Sequence, residues 1–167
     1  MITAHLPSGY ILARATGCPR SVYPFALLGS VLPDFDMLWF HLVDMRAFHH
    51  HKYWVHAPGF WIMIAVATLI ALKLFVAKHT RFPVITAACM FYGAIFVHLI
   101  LDSLAGSIMW LWPFSDQLYV LVDVPSHYEN WVLSFLLHWT FLAEIMVWSI
   151  AVFLYLGRKR ESKINVR

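Results

Sequence analysis

Three long stretches of the chain are apolar almost without interruption, and the polar positions fall between or before them. Residues 57–77 carry one charge, Lys73, near the far end, where an aliphatic stem lets the ammonium reach the membrane surface. Residues 83–105 carry no charge until Asp102, with His98 one helical turn earlier. Residues 131–157 are interrupted only by His138 and Glu144. Each stretch reaches the roughly 20 residues that a helix needs to cross about 30 Å of hydrocarbon. In that medium each backbone amide must be satisfied within its own segment, so the pattern predicts three transmembrane helices.

The segments before and between them read differently. Residues 1–21 are too polar to span and predict a short interfacial helix. Residues 22–43 are apolar but broken by Pro24, Gly29 and Pro33, with Asp34-Phe35-Asp36 near the centre. A spanning helix would put both carboxylates at mid-bilayer, so a short re-entrant helix ending at Leu32 is expected instead. Residues 44–56, DMRAFHHHKYWVH, form a polar loop with four histidines, and Lys78-His79-Thr80-Arg81 reads as a tight basic turn. Residues 106–130 are aromatic and acidic, without Lys or Arg, and Trp110, Trp112, Tyr119 and Tyr128 suit the headgroup level. The expected architecture is one domain over 1–167, all-α: an integral membrane helical bundle of three transmembrane helices plus an N-terminal re-entrant or interfacial helical segment.

Composition sharpens this. With 61% hydrophobic and 13% charged residues in 167, the charges cannot coat a water-soluble globule. Cys18 and Cys89 lie far apart without a CxxC, which argues against a disulfide framework and a thiolate metal site. Any metal must therefore use the ten His and nine acids. The net charge of +3 sits mostly at the C-terminus, as a membrane-side anchor rather than a nucleic-acid surface, and no direct nucleic-acid binding is expected. The first residues, MITAHLPSGY, lack the basic-then-apolar pattern of a cleaved signal peptide and are expected to stay in the mature protein. Lys78, Arg81 and the basic 158–167 tail make one side cytoplasmic and the acidic 106–130 loop extracytoplasmic, with Arg14, Arg20, Arg46 and Lys52 running against that orientation.

The chemistry gathers at the extracytoplasmic ends. His98 and Asp102 are spaced i, i+4, which puts both heads on one helix face. His56 opens its span and Asp102 closes the next on the same side, while His98 and His138 are each about 10 Å deep at 1.5 Å per residue. If 22–43 turns back, His5, Asp34 and Asp36 join them. Singly, each residue has a plain structural explanation: His98 and His138 as hydrogen-bonded interior histidines, Asp34 and Asp36 as turn and cap residues. Together, His5, Asp34, Asp36, His51, His56, His98 and Asp102 exceed one tetrahedral site. They suggest a two-ion divalent centre, of Zn or alternatively Mn or Fe, with Asp36 or Asp34 bridging or acting as base. His50, His138 and Glu144 are secondary candidates.

Several of these residues also fall in recognisable motifs. His5, then Gly29-Ser30-Val31-Leu32-Pro33-Asp34-Phe35-Asp36, then His51-Lys52-Tyr53-Trp54-Val55-His56, then His98 to Asp102 with Trp112-Pro113-Phe114, resemble the bacterial inner-membrane YdjM-like, LexA-binding family of metal-dependent hydrolases. The likeness covers about the first 115 residues; Lys52 stands for that family's Arg and Val55 for its Thr. It implies a metal-dependent hydrolase in the inner membrane, and a link to LexA. A more distant likeness is to the zinc phospholipase C and P1 nuclease group, whose second ligand pair is His-x-x-x-Glu. Here His138 and Glu144 are six residues apart, about 240° around a helix, and do not share a face. The expected function is a membrane-embedded metal-dependent hydrolase acting on a lipid or lipid-linked phosphoester. The alternative is a non-enzymatic metal-binding membrane protein: an ion carrier, a sensor or a metal-stabilised structural module.

Overall fold

The computed structural model describes Met1 and residues 3–164, with positions 79, 81 and 159–164 described as backbone alone. Among the described residues seven α-helices follow one another: α1 (His5–Ala15), α2 (Tyr23–Val31), α3 (Asp36–Leu42), α4 (Pro58–Phe75), α5 (Lys78–Ala105), α6 (Trp131–Leu136) and α7 (Phe141–Ile164). No strand forms among the described residues; one antiparallel bridge joins Ile108 and Tyr119. The last residues of the basic tail, 165–167, lie outside the described residues.

Three helices are long and apolar enough to cross a membrane: Pro58–Phe75, Phe82–Ala105 and Phe141–Arg158. The α5 window is 28% buried against 11% for α4 and 17% for α7, so α5 is the axis and the other two face outward. Exposed Ile62, Val66 and Ile70 on α4, and Ile145, Met146 and Phe153 on α7, are the surface that hydrocarbon would solvate.

Two expected boundaries are corrected. The basic stretch 78–81 is the start of α5, and the chain reverses just before it, at Val76 and Ala77. The third stretch is not one helix from 131 to 157. Asn130 caps α6 by accepting from the Val132 amide at 2.9 Å, and the helix then breaks at 137–140. There the His138 Nδ1 lies 3.0 Å from the Thr140 hydroxyl and 3.4 Å from the Thr140 amide. The Phe141 and Leu142 amides reach back only three residues, to His138 and Trp139. Side chains that hydrogen-bond the local backbone compete with the helical ladder, and here they divide it.

At the N-terminal end, α2 begins with Pro24 in its first turn and ends at Val31. Pro33 has no amide to donate to the turn below, and the chain tightens into a 3-10 turn, Leu32–Phe35, before α3. The helix α1 packs into the bundle, burying His5, Pro7, Ser8, Gly9 and Ala13. Small residues make the close contacts: Ala13, Ala26 and Ala94 cluster where α1, α2 and α5 meet. Gly29 lies against α5, where a Cβ would collide with the backbone carbonyl of Phe91. A second cluster, Trp61, Ile95, Leu99 and Ile108, packs beside the C-terminal end of α5. The Trp61 indole donates to the Val55 carbonyl at 2.7 Å and ties the histidine loop to α4.

Candidate metal centre

The residues that could ligate a metal come from the ends of elements, and these ends converge. His5 is the first residue of α1, Asp34 lies in the Leu32–Phe35 turn, and Asp36 opens α3. His50 and His51 lie in a 3-10 turn, His50–Lys52, and His56 closes another, Trp54–His56. His98 and Asp102 occupy the last two turns of α5.

Two groups result. In one, His5, Asp34, His98 and Asp102 each offer a ligand atom within 4.8 Å of the others; in the second, His50, His51 and His56 do the same. The carboxylate between them is that of Asp102. Its Oδ1 lies 3.1 Å from His5 Nε2, and its Oδ2 lies 3.0 Å from His98 Nε2, 3.8 Å from His51 Nε2 and 3.9 Å from His56 Nε2. Asp34 stands at the outer edge of the first group, 3.7 Å from His98 Nε2 and 3.9 Å from His5 Nε2. Asp36 stands beside the second, with Oδ2 3.0 Å from His56 Nδ1. Zinc bonds of about 2.0–2.2 Å put neighbouring tetrahedral ligands about 3.3–3.6 Å apart, so these separations are close to what such an ion would require. Met1 places its ammonium on Asp102 Oδ1, so a positive charge is accommodated at this carboxylate.

Burial is nearly complete. His56 and His98 are fully buried, and His5, His51 and Asp102 are buried, whereas the Asp34 side chain is 38% exposed and forms the open edge. The His98 Nδ1–H donates to the Ser30 carbonyl at 2.9 Å, and the His51 Nδ1–H donates to the Ser107 carbonyl at the same distance. With Nδ1 protonated, each ring presents the lone pair of Nε2 to the cluster, the usual device for orienting a metal-ligating histidine. The His5 and His98 rings stack at 3.7 Å. Burial, with His56 nearby, lowers His50 to about 4, and burial holds His51 well below its ordinary value although Asp102 pulls the other way. Both are therefore neutral imidazoles at neutral pH, the form that ligates.

The unsatisfied buried polar atoms are concentrated at this cluster. Among the described residues, nine buried side-chain N or O atoms have no hydrogen-bond partner, and seven of them belong to His5, Asp36, His56, His98 and Asp102. Asp36 and His56 approach closely without hydrogen-bond alignment. Each such atom costs about 1–3 kcal/mol, so seven together cost about as much as the ~5–15 kcal/mol that stabilises a domain. Divalent cations at the two groups would engage His98 Nε2, Asp102 Oδ2 and one nitrogen of His56, and this donor set of imidazoles and carboxylates suits a borderline or hard ion.

Two secondary candidates fall outside both groups. His138 sits at the break before α7, against Thr140. Glu144 is buried on α7 and accepts from the Thr3 amide at 2.9 Å and the Thr3 hydroxyl at 2.6 Å; Trp148 donates to the same hydroxyl at 3.0 Å. Glu144 thereby holds the segment leading into His5. No sequence signal marks Thr3 or the carbonyl of Ser107, and Ser30, though within the Gly29–Asp36 motif, acts through its backbone carbonyl, a contact set by chain path rather than by residue type.

Gly106 shows how closely His51 is seated: a Cβ there would lie 2.5 Å from His51 Cε1 and 3.1 Å from its Nδ1. Gly106→Ala should displace the ring from the Ser107 carbonyl and weaken metal binding about 10–100-fold, the usual cost of losing an orienting partner. Titration of the metal-free protein with zinc, alongside circular dichroism to confirm retained helix, checks this. Wild-type affinity in the variant would show that His51 is not a ligand.

Fold and site together define an integral membrane helical bundle with a buried His/Asp cluster at one end of its spans. The family model described as YdjM inner membrane protein matches residues 1–162, and the chain belongs to that family. The match extends well past the motifs and takes in most of α7. No match is found among the curated proteins or among the solved structures, so the likeness to zinc phospholipase C and P1 nuclease is not shown.

Proposed function

We propose that this protein is a membrane-embedded metal-dependent hydrolase acting on a lipid or lipid-linked phosphoester. The observation that carries the reading is the concentration of unsatisfied, buried ligand atoms at one place, beside a single exposed carboxylate. His5, His98, Asp34 and Asp102 would hold one divalent ion, zinc being the best fit, and His50, His51 and His56 a second, with Asp102 shared between them. Bound there, such a pair lowers the pKa of water and draws charge from a phosphoryl oxygen. Asp34, on the open edge, accepts the proton of the attacking water. Asp36 puts a negative charge 3.0 Å from His56 Nδ1. The surrounding Trp61, Ile95 and Leu99 exclude bulk water and strengthen each charge interaction at the cluster.

Purified protein without a His-tag should carry close to two divalent ions by elemental analysis. Loaded with them, it should hydrolyse a phosphodiester lipid analogue steadily, and Asp34→Asn should abolish turnover and weaken the ion of the first group while leaving that of His50, His51 and His56 in place. Bound metal without turnover on any phosphoester would favour the carrier or sensor alternative.

The site belongs to the extracytoplasmic side in this reading, with the C-terminus cytoplasmic. A reporter fused after Arg167 should be active in the cytoplasm, and a cysteine at Ser126 should react with an impermeant reagent added to intact cells. Labelling of that cysteine only after lysis would move the site to the cytoplasmic face.

A further inference from the structure

A groove of about 290 Å³ runs down the side of the bundle between α1 and α7, and its lining is apolar. Leu6 and Tyr10 of α1, Leu27 of α2, and Trp148, Ala151 and Tyr155 of α7 form it. Two features distinguish it from an ordinary dimple in a membrane protein's surface. The first is where it begins: Leu6 directly follows His5 in the chain, and the Trp148 indole donates to Thr3, two residues before His5. The second is its direction. From Trp148 to Tyr155 it follows α7 for seven residues, about 10 Å along the helix at 1.5 Å per residue, away from the metal cluster. At the far end the Tyr10 and Tyr155 rings meet edge to face, with centroids 6.4 Å apart.

The α7 stretch lies within Phe141–Arg158, one of the three membrane-crossing windows, so the groove opens onto hydrocarbon rather than water. An apolar slot in that position is filled by a hydrocarbon chain, since no aqueous ligand reaches it and an empty one would forfeit dispersion contacts. We infer that the groove between α1 and α7 holds one hydrocarbon chain of the substrate, so that the headgroup is brought to His5, Asp34 and Asp102. This rests on the hydrolase reading and narrows its substrate to a chain-bearing phosphoester. The groove's contribution is orientation. Bilayer chains are as apolar as Leu27 or Ala151, so moving a chain from lipid into the groove gains little free energy. Fixing the chain instead fixes the distance of the scissile group from the cluster. Asp34, the exposed ligand 3.9 Å from His5 Nε2, leaves the headgroup its way in.

The test combines a binding readout with a kinetic one. Full-length protein is reconstituted into phosphatidylethanolamine and phosphatidylglycerol vesicles containing a phospholipid with a diazirine midway along one acyl chain. After irradiation, cross-links mapped by mass spectrometry should fall on Leu6, Tyr10, Ala151 or Tyr155 several times more often than on Ile62, Val66 and Ile70 of α4. Ala151→Phe, and Val152→Trp at a half-exposed position of the same lining as a variant less demanding of the fold, should remove that preference. The same variants should raise KM for a long-chain phosphodiester at least fivefold relative to a short-chain, water-soluble one. Equal cross-linking of the α4 and α7 faces, or an unchanged KM ratio in both variants, would overturn the inference while leaving hydrolysis intact. Preferential cross-linking without hydrolysis of any phosphoester would instead overturn the hydrolase reading and retain the lipid groove.

Discussion

Asp102→Asn should lower the bound metal by at least one ion per chain, with the helical content unchanged. The amide keeps the size and shape of the carboxylate but removes the charge that lies between the two groups. Asp102 Oδ1 faces His5 while Oδ2 faces His98, His51 and His56, so both groups lose an anionic partner at once. A structural carboxylate paired only with the Met1 ammonium would behave differently, since its loss would destabilise the fold without changing any metal content. Elemental analysis and circular dichroism of the same preparation separate these outcomes. His98→Ala provides the parallel case, because the first group then keeps only one imidazole, that of His5. Two ions per chain in both variants would remove the metal centre altogether.

Gly29→Ala should damage both the helix packing and the metal centre, although Gly29 is not a ligand. The added Cβ would come within 2.9 Å of the Phe91 carbonyl carbon and 3.1 Å of its Cα, and closer still to the carbonyl oxygen, all backbone atoms of α5 that cannot swing aside. Either the helices separate or the protein takes on strain, at a cost of about 1–3 kcal/mol. Separation also carries Ser30, the next residue, away from His98. The bond between the Ser30 carbonyl and His98 Nδ1, 2.9 Å long, is what turns the His98 Nε2 toward the cluster. Zinc affinity should therefore drop about 10–100-fold together with thermal stability in detergent. Gly157→Ala, where nothing lies within 4 Å of the new methyl, supplies the control and should change neither. If Gly29→Ala matched that control, the close approach of α2 and α5 would not be what seats His98.

The sequence alone determined the membrane-crossing helices, because hydrophobicity over 18 or more residues is a local property that no tertiary contact needs to supply. It also determined that His98 and Asp102 share a face and that the α-helix breaks at Pro33, since helical period and a missing amide act within a few residues. The family likeness, first visible in the motifs, proved to run over residues 1–162. Tertiary structure alone decided how the remaining candidates are distributed. His138 matched His98 in depth on the assumption of one straight helix, but His138 and Thr140 bond locally and break it, leaving His138 outside both groups. His50, one of three consecutive histidines that composition cannot rank, enters the second group through the fold of its 3-10 turn. Which carboxylate lies between the groups depended on how α1, α2 and the histidine loop meet the end of α5. That meeting is set by the small size of residues such as Gly29 and Gly106 and by backbone carbonyls at Ser30 and Ser107. These are steric and backbone features, and neither leaves a hydrophobic period or a charge pattern in the chain.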